Sequence, residues 1–188
     1  MPADLNKLKQ DLGRRMDGAM ETLRREFAGL RTGRANAGLL EPVRVLAYGS
    51  ETPLTQVGTI GTPEPRLLTV QVWDRSLVSA VEKAIRDAGL GLNPASDGQL
   101  VRVPIPQLTT ERRNELAKLA GKYAEGARVA VRGVRRDGME QIKSFEKKHE
   151  IGEDSSKQWH DEVQKLTDSY VKKIDDLLAD KERDIRQV

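Results

Sequence analysis

ARVAVRGVRRD, residues 127–137, decides the reading of this chain. Its four arginines, at 128, 132, 135 and 136, recur inside a helical pattern whose expected apolar seam is Leu116, Leu119, Tyr123, Ala127, Ala130 and Val134. At about 100° per residue the arginines gather on the face opposite that seam. A helix built this way docks with one face and holds phosphates with the other. The period runs from Thr109, a candidate N-cap with Glu111 in the first turn, to about Glu150. At about 1.5 Å of rise per residue, forty or so residues make a rod on the order of 60 Å long.

Two further long helices flank it. Leu5, Leu8, Leu12, Met16, Met20, Leu23, Phe27 and Leu30 recur every three or four positions, as an amphipathic helix requires. After a break at Ile151 and Gly152, Trp159, Val163, Leu166, Tyr170, Ile174, Leu177, Leu178 and Ile185 mark a third. Between Arg31 and Pro106 the pattern turns to short β-rich runs: VRVLAY at 43–48, QVGTI at 56–60, LLTVQVW at 67–73 and LVRVPI at 100–105. Within that stretch Ser76 is a candidate N-cap for a short helix on Leu77, Ala80, Val81, Ala84 and Ile85, and Gly89 is placed to end it.

One exposed apolar stripe cannot stabilise a helix alone, so the three long helices are expected to close into a bundle. The fold class is therefore α+β: residues 1–30 plus 108–188 form an elongated three-helix bundle, and residues 31–107 form a small inserted strand-and-helix domain. The crossings hold Thr32, Gly33 and Arg34 on one side and Pro104 and Pro106 on the other. A glycine that frees φ and prolines that restrict it suit a hinge of limited motion, although such residues more often simply end elements. Helix-interior glycines at 121, 126, 133 and 138 each cost about 1 kcal/mol relative to alanine. Gly126 and Gly138 are expected near the seam, where they permit close approach; Gly121 and Gly133 lie further round.

Composition narrows the function. Of 188 residues 32% are charged and only 4% aromatic, which suits slender helices. Lysine and arginine number 32 against 29 acids, a net charge of +3, so a nucleic-acid surface has to come from clustering. The chain has no cysteine, which excludes disulfides, thiolate nucleophiles and cysteine-based zinc sites. No apolar stretch approaches the roughly 20 residues that span a bilayer, and acids interrupt the N-terminal segment. The expectation is a soluble, unprocessed, cytoplasmic protein.

Catalytic chemistry is nearly absent from the motifs. There is no GxxxxGK phosphate loop and no HExxH pair, and His149 and His160 alone fall short of the three or four ligands a zinc site uses. No metal, cofactor or catalytic residue is expected. The arginines remain. A charge run is usually a solvated helix face, but these are all arginine, and no acid within 127–134 offers an i,i+4 partner. Guanidinium groups bind phosphate bidentately, and double-stranded RNA is read largely by shape and phosphate, without an aromatic platform. Structured RNA is the favoured ligand. The alternative is a helical adaptor that binds partner helices through its seams, with no RNA role.

Beyond the arginine stretch, RTGRA at 31–35, WDRS at 73–76, AVEKAI at 80–85, GLGLNP at 89–94, VRVPIP at 101–106, LTTERR at 108–113 and VQKLTD at 163–168 follow in order. With these motifs the chain resembles the ribosome recycling factor family over nearly its whole length. The resemblance implies a β/α/β sandwich for the inserted domain, an L-shaped, tRNA-like outline, and a monomer that performs no bond chemistry. Working with elongation factor G and its GTP hydrolysis, such a protein splits post-termination ribosomes and frees them from messenger RNA. Its bundle binds the ribosome, mainly through large-subunit ribosomal RNA. Carried over by motif, Arg132 is the leading RNA contact, with Arg128, Arg135 and Arg136 beside it and Arg31 extending the surface; Thr32, Gly33, Arg34, Pro104 and Pro106 match the family hinge. Gly133 and Gly152 depart from the common asparagine and serine.

Overall fold

A computed structural model of the chain describes residues 3–30 and 32–187. Arg31 lies outside the described residues. Chain contacts divide the protein into two units: Met1–Arg31 with Thr110–Ile185, and Thr32–Thr109 with Arg186–Val188.

The first unit consists of three helices, α1 (Leu5–Ala28), α3 (Thr110–Lys147) and α4 (Glu153–Arg186). Asp4 caps α1 by accepting the Lys7 amide at 2.9 Å. Leu8, Leu12, Met16, Met20, Leu23 and Phe27 then bury one stripe of that helix. Its counterpart on α3 differs from the expected seam. Ala130 is exposed and Leu119 and Tyr123 are only half-buried, whereas Leu116, Ala117, Ala120, Ala124, Ala127, Val131, Val134, Gly138 and Ile142 are buried. Val131 takes the core position four residues after Ala127, so Ala130 turns outward. Small residues dominate this stripe, and α1 and α3 approach more closely than any other helix pair among the described residues.

Gly138 shows how close. A Cβ there would meet Leu12 Cδ1 at 2.5 Å. Gly126, also expected near the seam, is exposed, and a Cβ on it, on Gly121 or on Gly133 would meet nothing within 4 Å. The third helix buries Val163, Tyr170, Ile174 and Ile185, together with Ser156 and Thr167. Its two buried hydroxyls are satisfied: Ser156 donates to Glu146 at 2.7 Å and Thr167 to the Val163 carbonyl at 2.8 Å. Tyr170 donates to Asp17 Oδ1 of α1 at 2.5 Å. Burial, with the Asp17 hydrogen bond and charge adding to it, pushes the phenol pKa up to about 12.

The second unit contains β1 (Arg44–Ala47), β2 (Ser50–Pro53), β3 (Gly58–Glu64), β4 (Leu67–Val72), α2 (Val78–Asp87), β5 (Ala95–Asp97) and β6 (Leu100–Pro104). β1 and β2 form a hairpin, and the other four strands form an antiparallel sheet in the order β3-β4-β6-β5. Tyr48 and Gly49 both take positive φ, as a two-residue hairpin turn requires. The core joins Val45, Leu54, Leu68, Val70, Val72, Val81, Ile85, Val101 and Val103. Pro63 sits in β3, an edge strand with a register shift between Gly61 and Glu64, where a missing N–H is tolerated. Ser76 is not the N-cap of the short helix. Asp74 caps a 3-10 turn at Arg75–Leu77 by accepting the Ser76 amide at 2.9 Å, and α2 follows at Val78. Gly89, with φ 72°, stands just past its end.

Two consequences of the bundle can be measured. Gly138→Ala should lower the stability of the helical unit by about 1 kcal/mol or more, because overpacking a filled core outweighs the propensity gain. Gly133→Ala, with open space around it, should raise stability by up to about 1 kcal/mol; chemical denaturation followed by circular dichroism reads both. In the unfolded chain Tyr170 ionises near its ordinary value of about 10. Its raised native pKa thus contributes stability that is complete below pH ~10 and lost as pH rises through about 12. Tyr170→Phe should show a shallower loss of stability over that window than the parent chain.

Candidate nucleic-acid interface

Four arginines leave α3 within nine residues, yet they do not share one environment. At about 100° per residue, Arg128 and Arg135 stand beside the buried seam, while Arg132 and Arg136 lie further round toward solvent. The first two meet α4. Arg128 donates to Asp175 Oδ1 from Nε at 3.0 Å and from Nη2 at 2.6 Å, and its side chain is only 19% exposed. The Asp175 hydrogen bond raises the guanidinium pKa above its usual range, with partial burial opposing and Glu125 assisting. Arg135 Nε donates to Gln164 Oε1 at 2.6 Å, and Gln164 in turn donates to Asp168 at 2.8 Å.

The expectation of unpaired arginines is thus overturned for Arg128, Arg132 and Arg135. Glu125, just outside the 127–134 window, accepts from Arg128 at 3.1 Å and from Arg132 at 3.4 Å. Sequence spacing made the first of these legible, since residues three apart face each other on a helix. Asp175 and Gln164 carried no such signal, because the register of α4 against α3 is set by packing. Arg132 remains 53% exposed. Arg136 is exposed, and its side chain makes no hydrogen bond or ion pair to the described residues. On the same outward side of α3 Val129 stands 59% exposed. A surface results in which two guanidinium groups are held by α4 and two are turned to solvent.

Arg31 lies outside the described residues. Thr32, Gly33 and Arg34 lead into the second unit, where the Arg34 amide reaches the Thr32 hydroxyl at 3.4 Å and the Arg34 guanidinium donates to Gln187. Gly33 is not among the positive-φ residues; a Cβ there would meet the Gln187 carbonyl at 3.0 Å, a close approach that favours glycine. Pro104 ends β6 opposite Leu67, and the Ile105 amide bonds the Arg66 carbonyl at 2.8 Å, so Pro106 follows a fully paired strand. Gly152 supplies the carbonyl that accepts the Ser156 amide at 2.9 Å, opening α4 without a side-chain cap. His149 has φ 57° at the end of α3. Among the described residues no three His, Cys, Asp or Glu side chains gather as metal ligands, and no helix is long and apolar enough to cross a membrane.

Fold and arginine row together define a helical bundle with an inserted sheet unit and a basic, solvent-facing helix. A family model described as ribosome recycling factor matches residues 23–185. A ribosome-recycling factor of Granulibacter bethesdensis is 77% identical over 188 residues, 100% of both chains, and one of Acidiphilium cryptum is 71% identical over the same span. A ribosome recycling factor solved in solution superposes with a TM-score of 0.73 at 44% identity, covering 100% of both chains. A second, the T. thermophilus ribosome recycling factor placed with E. coli elongation factor G on the E. coli post-termination complex, gives 0.65 at 42% identity, covering 98% of this chain and 100% of that one. The chain belongs to the ribosome recycling factor family.

The different settings of the arginines separate in stability. Arg128→Met should destabilise the helical unit by about 1–2 kcal/mol, because it strips Asp175 of a part-buried, two-donor partner. Arg132→Ala, which removes an exposed pair, should change it by less than about 0.5 kcal/mol. Thermal melts of the two variants check this.

Proposed function

We propose that this chain recycles ribosomes: with elongation factor G and GTP it splits the post-termination ribosome and releases it from messenger RNA. The observation that carries this reading is full-length likeness to the factor placed with elongation factor G on the post-termination complex. The arginine row supplies the surface. Arg132 and Arg136 present free N–H donors to phosphate, with Arg128 and Arg135 held alongside them, and Arg31 is assigned to the same large-subunit ribosomal RNA contact. Phosphate contacts fix position without reading sequence, which is what docking on a folded RNA requires.

No acid, base or nucleophile of this chain takes part in a bond-breaking step in this reading. The GTPase supplies the free energy, the bundle supplies the anchor, and Thr32, Gly33, Arg34, Pro104 and Pro106 supply the segments at which the inserted domain swings. The protein acts as a monomer in the cytoplasm. The adaptor alternative needs apolar seams free for partner helices, whereas the seams of α1, α3 and α4 are buried against one another.

Light scattering from purified post-termination ribosomes tests the reading. Adding the chain to elongation factor G and GTP should lower the scattering as subunits part; an unchanged signal, with a known factor active in the same mixture, rejects it. Arg132→Ala should fold normally yet bind ribosomes about tenfold more weakly, the size expected for a lost charge-assisted hydrogen bond. Its binding should also lose about one unit of the slope of log affinity against log salt, since one fewer phosphate is neutralised.

A further inference from the structure

Glu125 lies where two arginines of α3 meet. Arg128 Nη1 donates to its Oε2 at 3.1 Å, and Arg132 Nη1 to its Oε1 at 3.4 Å. Two guanidinium groups one helical turn apart thus converge on a single anionic group, one on each oxygen. A phosphate presents the same pair of anionic oxygens and, like a carboxylate, accepts charge-assisted hydrogen bonds from arginine.

The second carboxylate on Arg128 is different in kind. Asp175 reaches across from α4 and takes both Nε and Nη2 on one oxygen, leaving Arg128 only 19% exposed and its Nη1 directed at Glu125. With Arg128 already fixed from α4, Glu125 adds little to its placement. The Glu125–Arg132 contact joins side chains that are 55% and 53% exposed, at a length beyond the usual range for an N–H···O bond. Exposed pairs of this sort are weak and readily exchanged. What Glu125 does contribute is a negative charge at the point where two arginines are aimed.

We propose that Arg128 and Arg132 form a two-guanidinium clamp for one RNA phosphate, that Glu125 is the resident anion which this phosphate displaces, and that Asp175 is the positioning residue of the clamp. The proposal rests on the RNA-docking reading above. It assigns opposite effects to two carboxylates that touch the same side chain.

The test titrates fluorescently labelled full chain with purified large ribosomal subunits at fixed salt. Glu125→Gln should tighten binding roughly threefold, in line with loss of a weak competing pair. Asp175→Asn should weaken it by a similar or larger factor. Both substitutions remove one negative charge, so a simple net-charge effect predicts tightening in both, and opposite signs separate the two roles. In an Arg132→Ala background, at lower salt, the gain from Glu125→Gln should shrink toward nothing. The exposed Glu140, replaced by Gln, reports the general effect of charge on α3.

Neutral or weaker binding by Glu125→Gln overturns the proposal. So does equal tightening by both variants, or a gain that survives intact without Arg132. If Asp175→Asn fails to fold by circular dichroism, Glu125→Gln with and without Arg132 decides the matter. A parent chain that does not bind large subunits at all overturns the RNA-docking reading itself, an outcome distinct from normal parent binding with no gain at position 125.

Discussion

The close approach of α1 to α3 is the constraint on which the helical unit depends. Ala117, Ala120, Ala124, Ala127 and Gly138 remove side-chain bulk from one stripe of α3, and the Leu, Met and Phe stripe of α1 fills the space. Each large α1 side chain fully buried there contributes about 1.5–3 kcal/mol of transfer free energy. Packing of this density tolerates little change in volume, as the contact of Leu12 with Gly138 illustrates. Once that stripe is committed, the rotation of α3 about its own axis is settled, and so is the direction in which every other residue of the helix points.

From that rotation the arginine row acquires its division. Positions 128 and 135 fall at the flank where α4 packs, and their guanidinium groups meet Asp175 and Gln164. Positions 132 and 136 fall beyond the reach of α4. Charge alone would treat the four as equivalent, but an arginine with a two-donor carboxylate partner has lost much of its side-chain freedom before any ligand arrives. One consequence is preorganisation: the entropy of ordering Arg128 belongs to folding rather than to binding. Glu125, shared between an arginine held by α4 and one that α4 does not hold, sits at the boundary between those roles.

In the inserted unit the outcome was less legible. β4 and β6 read as strands because their central, buried positions are β-branched or leucine in strict alternation, and α2 announced itself by a stripe and by Gly89. β2 (SETP) and β5 (ASD) carried no such signal. They are short, mostly exposed pairing partners, ordered by hydrogen bonds to stronger neighbours rather than by burial of their own side chains. Likewise Asp74, not Ser76, starts the helical turn, since two acceptable capping residues stood two positions apart and only backbone geometry chose between them.

By itself the sequence determined which segments form the long helices, that β-rich runs lie between the first and the second of them, and that arginines cluster on the second; these properties follow from local periodicity and side-chain type. The tertiary structure alone decided which residues of α3 face the core, why Ala130 is exposed while Val131 is not, and which arginines are tied to α4. The physical reason is that a helix's own pattern restricts its buried face only to a broad arc. The exact rotation and the register against neighbouring helices are chosen when side-chain volumes interlock, and Asp175 finds Arg128 forty-seven residues away in the chain only after that choice is made.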